Sequence, residues 1–121
     1  MKTKLEPPAR LCPRLRVLHG EQIALGPGKV DLLALIGKTG SIRVGAQRMG
    51  MSYMRAWKLV QTMNACFKEP VVAAVRGGRD HGGAALTETG RQALALYEQM
   101  ETDCLKTIKP QWKTLRALLR D

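Results

Sequence analysis

Residues 40–67, GSIRVGAQRMGMSYMRAWKLVQTMNACF, decide how this chain is read. Ser41 can cap a helix, because its hydroxyl accepts from first-turn N–H groups that lack partners. Ile42, Ala46 and Met49 then share one side of that helix. Gly50 suits the left-handed residue that ends a helix and turns the chain sharply, and Ser52 can cap the helix that follows. In this second helix, expected over residues 52–67, Ala56, Leu59, Val60, Met63 and Phe67 fall on one arc at about 100° per residue. Tyr53, Trp57 and Asn64 lie at its edge, while Arg55, Lys58 and Thr62 occupy the other side. Burying the first arc turns the second outward, and the helix N-terminus adds backbone dipoles that attract phosphate.

Outward from this pair, residues 1–13 hold Pro7, Pro8 and Pro13 among basic residues and show no apolar period, the pattern of a flexible basic arm. Leu15 and Val17 alternate with Arg14 and Arg16, and Ile23 and Leu25 recur after Gly20, which predicts a short hairpin. Pro27 opens a helix rich in Val30, Leu32, Leu33, Leu35 and Ile36, to be ended by Gly37 or Gly40. After the pair, Pro70 stops the chain, and Val71, Val72 and Val75 lead to Gly77-Gly78, with Gly82-Gly83 and Ala84-Ala85-Leu86 beyond. A second hairpin with a glycine-rich tip is expected here, a wing over residues 76–83 with Arg76, Arg79 and His81 at its tip. Thr87 can cap a last helix whose stripe of Ala93, Leu94, Tyr97, Met100, Cys104 and Ile108 reaches Pro110 and resumes at Trp112, Leu115, Leu118 and Leu119. That stripe is longer than a small core needs, so dimerisation is expected of it.

The 121 residues carry a net charge of +10, and the excess is uneven. Residues 41–81 hold seven basic side chains against two acidic ones, whereas residues 82–103 hold one against four. A positive field over a helix pair points to nucleic acid. The three cysteines, Cys12, Cys66 and Cys104, are widely spaced with no CxxC, and no apolar run is long enough to span a membrane, which suits a reduced, cytoplasmic protein. Gly26 and Gly28 lack the third glycine of a dinucleotide fingerprint, since Asp31 stands there, and Leu32 occupies the first glycine of a P-loop ending at Lys38-Thr39. His19 and His81 have no carboxylate or cysteine beside them, and no nucleophile has a base. No enzyme, catalytic residue, metal or cofactor is expected. Met49, Met51, Met54 and Met63 are expected to fill core and turn.

The segments MSYMRAWKLVQTMN and VVAAVRGGRDHGGAALTETG resemble the N-terminal DNA-binding domain of the molybdate-responsive ModE regulators, with a similar SYxxAW helix, GG-x3-GG wing and A-x-LT-x-x-G exit. The likeness covers about residues 15–100. GSIRVGAQRMGMS also resembles helix-turn-helix segments of LysR-type regulators. What the resemblance implies is a prokaryotic winged helix-turn-helix transcription regulator of mainly α (α+β) class, dimeric through its first strands and long last helix. Its parts would be the arm (1–13), the DNA-binding domain (14–86) and a long C-terminal dimerisation helix (87–121). Ser52, Tyr53, Arg55 and Lys58 would fall on the recognition helix, and Arg76 and Arg79 on the wing. Ser41 and Arg43 would fix the pair on the DNA backbone, with Thr62 and His81 completing the expected DNA-binding set. The expected partners are double-stranded DNA and a second copy, with no membrane and no molybdate-binding domain in the chain. Val44-Gly45-Ala46 departs from a more alanine-rich family helix. The alternative is a protein-interaction adaptor, or a nonspecific DNA-binding protein, built on the same fold.

Overall fold

The computed structural model describes residues 9–75 and 83–120. Their elements run β1 (Val17–His19), β2 (Gln22–Leu25), α1 (Pro27–Thr39), α2 (Ile42–Met49), α3 (Tyr53–Cys66), β3 (Val72–Val75), β4 (Gly83–Leu86), α4 (Glu88–Thr107) and α5 (Lys109–Arg116). The strands pair as two separate antiparallel hairpins, β1 with β2 and β3 with β4. The first hairpin begins later than its alternation suggested, at Val17, and the register slips between Val17 and Leu18.

Helix α1 is the hub, because Leu32, Leu33 and Ile36 are fully buried and α2, α3, α4, β2 and β4 all pack on it. Around them the core gathers Leu25, Ala46, Ala56, Val60, Met63, Val71, Val72, Ala84, Ala93 and Tyr97. Pro27 supplies the start of α1, where its missing N–H costs nothing. Gly40, left-handed at φ 74°, ends it.

Two polar side chains tie the end of α3 to the start of α4 through the chain between them. Asn64 Oδ1 accepts from the N–H groups of Val71 (2.8 Å) and Val72 (3.2 Å), and its Nδ2 donates to Val72 O at 3.1 Å. Thr87 Oγ1 donates to Pro70 O (2.6 Å) while accepting from Gly90 N–H (3.0 Å), so one hydroxyl caps α4 and anchors it. The first turn of α4 lies so close to β3 that a Cβ on Gly90 would run into the Val71 carbonyl oxygen. Further along α4, the buried Tyr97 donates its hydroxyl to Leu15 O at 2.6 Å, holding the segment before β1 against the helix.

The expected fold class, a winged helix-turn-helix closed by one long dimerisation helix, is corrected here. The described residues form five helices and two small sheets, and residues 76–82, the expected wing tip, lie outside them. The C-terminal helix is not continuous. It stops at Thr107, turns at Ile108, and restarts as α5 with Pro110 in its first turn, since proline cannot donate the N–H that a through-going helix needs.

Candidate nucleic-acid interface

Local chemistry builds the α2–α3 pair almost without outside help. Ser41 Oγ accepts from Val44 N–H at 3.0 Å and Ser52 Oγ from Arg55 N–H at 3.1 Å, so both serines are N-caps. Between the helices Gly50 is left-handed at φ 70°. Its N–H and that of Met51 return to the last carbonyls of α2, at 3.1 Å on Gln47 and 3.0 Å on Ala46. A bulkier residue would be strained at that φ, so the sharp turn requires glycine.

The pair then lays Ala56, Val60 and Met63, all buried, against the core. At about 100° per residue, the direction opposite this arc is held by Met54, Lys58 and Gln61, with Arg55 on one flank and Tyr53 and Trp57 on the other. Arg55 and Lys58 are exposed, whereas Thr62 is half-buried. Together Ser52, Met54, Arg55, Lys58 and Leu59 line a shallow recess on this surface. Arg43, exposed on α2, sets its guanidinium 5.1 Å from the centre of the Tyr53 ring, so the two helices are joined at the surface by a cation–π contact. Ser41, Arg43, Ser52, Tyr53, Arg55 and Lys58 therefore lie on or beside the α2–α3 pair. Arg76, Arg79 and His81 lie outside the described residues.

Three residues of the outward face were not in the expected site. Met54, read from sequence as turn or core filling, is 56% exposed, and Trp57, placed at the edge of the core arc, is 41% exposed. Gln61 is exposed beside them. The signal was present: the 100° period that puts Ala56 and Val60 inside puts Met54 outside. The surrounding charge is one-sided. No acidic residue occurs between Asp31 and Glu69, while Lys38, Arg43, Arg48, Arg55, Lys58 and Lys68 all fall in that span. Among the described residues no group of His, Cys, Asp and Glu is arranged to hold a metal ion, and no helix is long and apolar enough to cross a membrane.

The site is thus a capped helix pair carrying an exposed cationic second helix, and the chain is similar in sequence to several known proteins. The chain is 41% identical over 104 residues to the molybdenum-pterin-binding protein MopB of Rhodobacter capsulatus, covering 86% of this chain and 38% of that protein. It is 40% identical over 80 residues to the molybdenum transport protein ModE of Azotobacter vinelandii (66% of this chain, 30% of that one). With the DNA-binding transcriptional dual regulator ModE of Escherichia coli it shares 35% over 78 residues, covering 64% and 30% of the two chains. No family model matches. The chain spans about a third of the length of these relatives. At this level it is similar to ModE transcriptional regulators and to molybdenum-pterin-binding proteins alike.

These matches correct three expectations. The likeness was drawn to the DNA-binding domain of ModE alone; MopB and MopA, named for molybdenum-pterin binding, match as well, MopA at 36% over 84 residues, so that narrower assignment does not hold. The expected absence of a molybdate-binding domain conflicts with relatives named for binding molybdenum, and is withdrawn. Nor does the name of the 41% relative carry the winged-helix class, whose place is taken by the architecture described above.

Proposed function

We propose that this chain binds duplex DNA through the outward face of α3 and serves in transcriptional regulation. The observation that carries the proposal is the pairing of a buried inner arc (Ala56, Val60, Met63) with an exposed outer one bearing Arg55 and Lys58, in a stretch free of acidic residues. A helix so placed can enter a major groove, with Lys58 and Arg55 reaching base edges or adjacent phosphates. Ser41 and Ser52 keep their hydroxyl protons free to donate to phosphate while their oxygens cap the helices. Arg43 is held over Tyr53 and so presents its charge from a fixed place. The large apolar residues that α4 leaves exposed, Leu96, Met100 and Leu105, support pairing of two copies, which would offer two α3 helices to half-sites about one turn of DNA apart. The names of two relatives, a molybdenum-pterin-binding protein and a molybdenum transport protein, make molybdenum the natural context of that regulation.

The test is salt-dependent retention of genomic duplex fragments, followed by footprinting of Arg55→Ala and Lys58→Ala. Arg55→Ala is expected to cost about 1–3 kcal/mol and to relax preference at one base position. Retention that does not fall with added salt would remove the DNA reading and return the adaptor alternative.

A further inference from the structure

Large apolar side chains on a cationic helix face ask for an explanation that charge alone does not give. Met54 and Trp57 stand 56% and 41% exposed on the first turns of α3, Met54 opposite the buried arc and Trp57 to one side, with Gln61 between them in direction and Lys58 on the far side of Met54. Both side chains thus offer apolar surface to whatever meets this face of α3. The occupant is chosen by charge. With no acidic residue between Asp31 and Glu69, Arg55 and Lys58 lining one recess with Met54, and Arg43 over the Tyr53 ring, the surface selects a polyanion. The apolar group that duplex DNA offers in its major groove is the C5-methyl of thymine.

Resting on the DNA reading above, we propose that Met54 and Trp57 read thymine methyl groups, so that the preferred duplex carries thymine beneath the N-terminal half of α3. Lys58 would supply the anchoring charge, and the two apolar side chains would discriminate among pyrimidines by the presence or absence of one carbon. Cytosine lacks that carbon and exposes a polar amino group, so it leaves the patch facing water or an unmatched donor.

The experiment uses the full chain and a duplex recovered by selection from a randomised library. Each thymine is replaced singly by deoxyuridine, which removes the methyl and leaves every hydrogen-bonding edge in place. Affinity is expected to fall about fourfold at each contacted position and to stay level elsewhere. In Met54→Ala or Trp57→Ala the thymine-to-deoxyuridine ratio at the matching position should collapse to one. Because that ratio is taken within one variant, any loss of folded protein cancels. Equal affinity for all deoxyuridine duplexes would overturn the inference and leave DNA binding standing, as would retention without sequence enrichment. Absence of salt-dependent retention would remove both.

Discussion

The α2–α3 pair and α4 are both amphipathic and both begin on a capping hydroxyl, yet they are held in the molecule by opposite means. The pair is closed by contacts between near neighbours: Ser41 to Val44, Ser52 to Arg55, and Gly50 and Met51 back to the end of α2. Helix α4 is fixed from afar, by Thr87 reaching 17 residues back to Pro70 and Tyr97 reaching 82 residues back to Leu15. Closure by local chemistry leaves Met54, Lys58 and Gln61 exposed on the outer face of α3. The inner contacts of α4 leave no freedom at Gly90, which has no room for a Cβ, or at Thr87, whose hydroxyl is bonded twice.

That contrast can be broken most forcefully at Gly90. Gly90→Ala should push α4 off β3 through the Val71 carbonyl and lower stability by on the order of 3 kcal/mol, read as a shift in the urea midpoint. Next comes Asn64→Ala, which strips partners from the backbone N–H groups of Val71 and Val72; a loss of about 2–3 kcal/mol is expected in the same measurement. A neutral result at either site would show that α4 is not held by these remote contacts.

Tyr97→Phe should cost about 1–2 kcal/mol, because it leaves the Leu15 carbonyl without its donor. It also sharpens the pH dependence. Burial holds the Tyr97 hydroxyl above the ordinary tyrosine value, with Glu101 and Asp31 acting in the same direction and Arg16 and Arg14 against it. The folded state therefore keeps its proton where the unfolded chain would lose it. This contribution is whole below the ordinary tyrosine range and falls away as pH rises through the folded value, an alkaline loss that the phenylalanine variant should show less steeply in denaturation at successive pH values.

The smallest effect belongs to Gly45 in α2. A Cβ there would meet Leu32, Leu35 and Ile36 side chains at 3.4, 3.6 and 3.7 Å, ordinary contacts, so Gly45→Ala should gain up to about 1 kcal/mol of stability without altering DNA retention. Destabilisation instead would mean that α2 sits on α1 more tightly than these distances allow.

How much of this was legible beforehand follows the same division. Ser41, Gly50 and Ser52 announce their own roles, because capping and left-handed turns are written in residues a few places apart. The inner arc of α3 could be counted off, and the same count should have put Met54 outside; treating methionine as filler hid it. The joints at Asn64, Thr87 and Tyr97 could not be read, since nothing in the sequence near Tyr97 names Leu15 as its acceptor. Pro110 foreshadowed a kink in the long C-terminal helix, and the chain does turn there, at Ile108, into a separate short helix α5.

One vertex ties these parts together. The carbonyl of Gly40 accepts from Ala84 N–H at 3.0 Å, so β4 is bonded to the very residue where α1 ends, one peptide before the cap of α2. Gly83 presses equally close, since a Cβ on it would stand 2.7 Å from the same oxygen. Any side chain at position 83 would therefore have to displace the β3–β4 hairpin from the junction between α1 and α2.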